Sequence, residues 1–98
     1  MTYMDALVAT DQVSPEFLAI GYCDIAVQNL LAGTMKLQYK LPVTANLPAP
    51  EWKDFPDGAF TTDTFQTIFV SQHGVMVRFV GVANNTSVYV KAARHNNR

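Results

Sequence analysis

The sequence predicts an all-β domain, a small antiparallel β-sandwich of the jelly-roll or Ig-like kind, with an extended N-terminal arm. Three observations predict it. Thr34 to Leu41 alternates strictly, with Met35, Leu37, Tyr39 and Leu41 apolar and Thr34, Lys36, Gln38 and Lys40 polar, the period-two pattern of a half-buried antiparallel strand. The whole chain breaks into roughly six or seven short β-rich stretches with turn residues about every 8–12 positions. No stretch holds a helical period convincingly.

Taken in order, residues 1–16 read as the arm. Met4, Ala6, Leu7, Val8 and Val13 are apolar but keep no regular spacing. Ser14 and Pro15 have helix-opening chemistry, yet the β-rich run Phe17 to Tyr22 follows, so a turn is expected there. Cys23 to Leu30 reads as a strand with Ile25 and Val27 inward, and Gly33 supplies a bulge or turn into Thr34–Leu41, making a first hairpin. Pro42 to Pro50 is a loop, because Pro42, Pro48 and Pro50 remove ladder donors. Glu51 to Phe55 is a short strand with Trp52 inward. Pro56, Asp57 and Gly58 have turn chemistry. Thr64 to Val70 is a strand, His73 and Gly74 turn the chain, and Val75–Ala83 with Thr86–Ala93 make a second hairpin closed at Asn84 and Asn85. In Val75–Ala83, Val75, Val77 and Phe79 face one way and Met76, Val80 and Val82 the other, so that strand is central or covered by a partner. The domain spans 17–93, and 94–98 is a polar tail. The expected core includes Leu37, Tyr39, Trp52, Val77, Phe79, Val88 and Val90.

Composition narrows the function classes. With 98 residues, the chain is one domain's worth. It is 49% hydrophobic and 15% charged, against about 25% charged for an average soluble domain. Seven Lys plus Arg against eight Asp plus Glu leave a net charge of −1, which argues against nucleic acid as a partner and against disorder. A single cysteine, Cys23, makes no intramolecular disulfide and no cysteine-rich zinc site. The start of the chain has no secretory pattern, and no stretch is long and apolar enough to be a membrane span.

Chemistry-bearing groups are sparse. Cys23 with His73 is the only conceivable nucleophile–base pair, and a cysteine inside an apolar strand is usually a buried small hydrophobe. His95 falls in the polar tail. Asp54, Asp57 and Asp63 have oxygen ligands suited to calcium, but turn chemistry explains them equally. Asn84 and Asn85 each begin an N-x-[ST] match and read as turn residues. The aromatic side chains suit either a core or a sugar-binding face. No catalytic residue, cofactor or metal site is assigned, and an enzyme is not expected.

The run Gly33-Thr34-Met35-Lys36-Leu37-Gln38-Tyr39, then Trp52-Lys53-Asp54-Phe55, then Gly74-Val75-Met76-Val77-Arg78-Phe79 and Ser87-Val88-Tyr89-Val90, resembles the small β-sandwich structural proteins of tailed-bacteriophage virions. It covers about residues 23–93 and departs from the pattern in the Pro-rich loop and the first 22 residues. The resemblance implies a non-enzymatic virion protein made in the host cytoplasm. It would be a capsid decoration (cement) protein or a head–tail component, with the major capsid protein as partner, no nucleic acid and no membrane. The alternative is a carbohydrate-binding module or receptor-binding tail component. A homo-oligomer is expected from the low charge and the apolar arm. The expected contacts come from Tyr3, Met4, Leu7 and Val8 of the arm, Pro48 and Pro50 of the loop, and Met76 and Val80.

Overall fold

The computed structural model describes residues 2–41 and 51–95. Its strands are β1 (Thr2–Val8), β2 (Phe17–Gln28), β3 (Thr34–Lys40), β4 (Lys53–Phe60), β5 (Thr64–Val82) and β6 (Val88–Arg94). All six lie in one sheet in the order β1-β6-β2-β5-β3-β4, and every pairing is antiparallel. The fold is therefore all-β and antiparallel, as the alternation in β3 predicts. The described strands form one continuous sheet, without a division into two.

That sheet bends over its own inner face. The thin dimension of the molecule is 20 Å. The long strands β2 and β5 make the bend together. Their register shifts around Gly21, between Ala19↔Val75 and Tyr22↔Phe69. Gly21 and Gly74 take φ of 72° and 87° there, a region open to glycine without steric cost. Inward side chains in β5 change from Ile68 and Val70 to Val75, Val77 and Phe79 across this point. An irregular stretch with extra residues on one strand does this: it bends the strand and re-aims its side chains. The expected turn at His73 and Gly74 is thus a kink inside one 19-residue strand.

One core fills the bend. Met4 and Val8 of β1, Cys23, Ile25 and Val27 of β2, and Val88, Val90 and Ala92 of β6 meet Met35 and Leu37 of β3 and Phe79 of β5. Five of the seven expected core residues are buried, while Tyr39 and Trp52 are half-buried.

Both expected hairpins are absent. β2 pairs with β5 and β6, while β3 pairs with β4 and β5; β6 lies between β1 and β2. The connections at 29–33 and 83–87 are crossovers held by side chains. Asn85 Oδ1 accepts from the Leu31 and Ala32 amides, and its Nδ2 donates to the Asn29 carbonyl. Asn84 is buried; its Nδ2 donates to the Val8 carbonyl and its Oδ1 accepts from the Asp11 amide.

Residues 2–16, expected as an arm, are built into the sheet. β1 pairs with β6 along its length, with Met4 and Val8 buried and Ala6 packed on the core. Those even positions do hold a period of two, obscured in the sequence by the apolar Leu7, which points out. Beyond a turn at 9–12, Val13 bridges Val80. The Ser14 hydroxyl accepts from the Phe79 amide, and the Ser14 amide donates to the Phe79 carbonyl. No helix forms at Ser14.

Candidate interaction face

Because Cys23, Ile25 and Val27 point into the core, Leu18, Ile20, Tyr22 and Asp24 of β2 point out. Across the ladder Tyr22 opposes Phe69, Asp24 opposes Thr67, Ala26 opposes Phe65, and Leu18 opposes Met76. The outer face of β2 and β5 is consequently an apolar strip in solvent. Leu18 is 52% exposed, Ile20 44%, Tyr22 54%, Phe69 47% and Phe65 78%. Tyr22 and Phe69 meet edge to face, with ring centroids 5.2 Å apart and planes at 64°. At the kink, Leu18 and Ile20 converge over Gly74, where an added Cβ would lie 3.2 and 3.1 Å from their side chains.

A polar node interrupts the strip. Asp24 accepts from the Thr67 hydroxyl and lies 2.9 Å from His95 Nδ1. The Thr67 bond, and then the His95 contact, hold the Asp24 carboxyl below its ordinary range. His95, expected in a frayed tail, is instead tied down, its amide donating to the Tyr22 carbonyl.

Beside Phe69 a groove of about 390 Å³ runs between the β5 kink and the end of β3, lined by Tyr39, Leu41, Phe55, Pro56, Val70 and Val75 among others. On the neighbouring surface the Arg78 guanidinium lies 4.2 Å and the Lys40 ammonium 5.0 Å from the centre of the Trp52 ring. Arg78 also donates to Gln38 Oε1, and Gln38 Nε2 donates to Asp54. These partners depress the Asp54 carboxyl, the Gln38 bond most and Lys36, 3.6 Å away, next. Of the rings expected to suit a sugar platform, Trp52 is thus held by cations. Tyr89 is half-buried and hydrogen-bonded to Asp5, which raises its phenol above the ordinary value.

Among the expected contact residues, Tyr3 and Met76 border the strip. Tyr3 stacks on Phe17 at 5.7 Å and its hydroxyl faces the Ile20 amide, while Met76 is the ladder partner of Leu18. Met4 and Val8 are core residues and offer no surface to a partner, a correction that follows from the pairing of β1 with β6. Leu7 is exposed on the same outer face of the sheet, beside Tyr89 of β6 and two strands from β2, and Val80 is half-buried against the bridge to Val13. Pro48 and Pro50, and the loop 42–50 with them, lie outside the described residues.

The remaining candidates are explained locally. Cys23 is buried, and burial pushes its thiol up to about 11; a protonated thiol is a poor nucleophile at neutral pH. Asp63 accepts from the Leu30 amide and Asp54 is engaged as above. Among the described residues no group of three His, Cys, Asp or Glu side chains converges as a metal site would. Sequence reading missed Tyr22, Phe65 and Phe69 as surface residues, although the inward assignment of Ile25 and Val27 already placed Tyr22 on the opposite face. No family model, no curated protein and no solved structure matches the chain.

Proposed function

We propose that the chain is a non-enzymatic structural subunit that works against other protein surfaces. The virion resemblance supplies the setting: a decoration or head–tail component of a tailed bacteriophage, bound to the major capsid protein. The observation that supports this reading best is the exposed apolar strip on β2 and β5. Large apolar side chains gathered in solvent on one face of a small domain mark protein contacts, and a chain with 15% charged residues has little else to keep such a face in water. The carbohydrate-binding alternative draws less support, because Tyr22 and Phe69 meet at 64° and form no flat platform.

Density-gradient fractionation of the particles made where the chain is expressed tests the reading. The chain is expected to co-sediment with assembled heads and to remain with them after salt washing. A chain found only in the soluble fraction, or one that binds a defined glycan with its rings protected, would sink it.

A further inference from the structure

We propose that the outer face of β2 and β5 pairs with the same face of a second copy of this chain, around a twofold axis. The inference rests on the structural-subunit reading and names the first partner within it. Three features select a second copy.

Size is the first. At their observed exposures, Tyr22, Phe65 and Phe69 alone offer roughly 270–450 Å² of ring surface. Leu18 and Ile20, each about half exposed, extend that toward the ~800 Å² that one partner of a standard interface contributes. A twofold contact uses one patch twice, so a single strip of this size supplies both sides.

Charge is the second. The charged group between the rings is Asp24, whose Oδ1 accepts from the Thr67 hydroxyl and lies 2.9 Å from His95 Nδ1. The net charge of −1 adds little repulsion between copies.

Shape is the third. The strip sits on the two central strands of the sheet, the part least free to adapt to a partner. Its rigid aromatic anchors are residue types enriched at protein interfaces. The edge-to-face Tyr22 and Phe69 rings and the Leu18 and Ile20 side chains over the buried Gly74 give that face its relief.

Sedimentation equilibrium of the intact chain tests this. The wild type is expected to be a dimer at roughly 10–100 μM, where even a modest interface of standard size associates. Tyr22→Ser combined with Phe69→Ser is expected to weaken the dimer about tenfold or more. Phe65→Glu, at the most exposed ring, carries the least folding risk and is expected to do the same. Leu31→Ser, exposed at 78% on the crossover between β2 and β3, leaves the dimer unchanged. A monomeric wild type overturns the proposal, as does a dimer indifferent to Phe65→Glu. A monomer that still co-sediments with heads through these residues assigns the face to another protein: self-pairing then fails while the structural reading stands. A dimer absent from every particle fraction does the reverse.

Discussion

Asn84 and Gly81 are mutually dependent. A Cβ at Gly81 would lie 2.3 Å from Asn84 Oδ1, so the close approach of that side chain requires glycine. Asn84→Ala strands the buried Val8 carbonyl and is expected to cost about 1–3 kcal/mol in urea melts. Gly81→Ala should destabilise the wild type and cost less in the Asn84→Ala background, a coupling that a double-mutant cycle measures. At Cys23, burial and the high thiol pKa make Ellman's reagent react only at the rate of unfolding; rapid labelling of the folded chain would contradict the buried assignment. Asp24 has a folded pKa below its unfolded value. Its stabilisation is therefore fully present above the ordinary carboxylate pKa of about 3.9. It is lost as pH falls from there through the lower folded value. Asp24→Asn should flatten stability in that acid window. Single residues were legible in the sequence where one face decided them, as at Leu37 and Val90. Asn84 and Asn85 were not, because a pair of asparagines has the chemistry of a hairpin turn whether it closes two neighbouring strands or pins two crossovers.

At the scale of elements, β3 was readable because its alternation runs unbroken, and β1 was not because Leu7 fills the gap between Ala6 and Val8. Pairing was harder to read than strand existence. β5 looked like two strands separated by His73 and Gly74, and only long-range pairing with a β2 that bends at Gly21 makes it one. Local sequence holds no record of that partnership. The kink makes a specific demand: Gly74 has φ of 87° and is roofed by Leu18 and Ile20. Gly74→Val is expected to destabilise the fold by about 1–3 kcal/mol through the backbone conformation alone, read as a lowered urea midpoint. Gly33→Ala should be more severe, since its Cβ would meet the Ala83 carbonyl oxygen at 2.3 Å in addition to a φ of 73°. Leu37→Ala, in the middle of the core, should cost about 2–5 kcal/mol. A change below 0.5 kcal/mol at Leu37, on the order expected of surface sites, would place β3 elsewhere.

For the whole molecule, the bent sheet puts its best-packed side chains inside the fold and leaves the backs of the two central strands apolar and exposed. That distribution follows from β2 and β5 carrying hydrophobic residues on both faces. It is the physical basis of the proposed assembly role. The sequence showed the excess of apolar residues but assigned the partner contacts mainly to the arm and the Pro-rich loop. Residues 2–8 instead pair with β6, and β2, read as an ordinary half-buried strand, supplies the face. Hydroxyl-radical footprinting of the chain, free at low concentration and then in the assembled particle, bears on this most directly. Oxidation of Tyr22, Phe65 and Phe69 is expected to fall several-fold on assembly while that of Leu31 stays constant. Equal oxidation of the three rings in the free and assembled states would contradict the account.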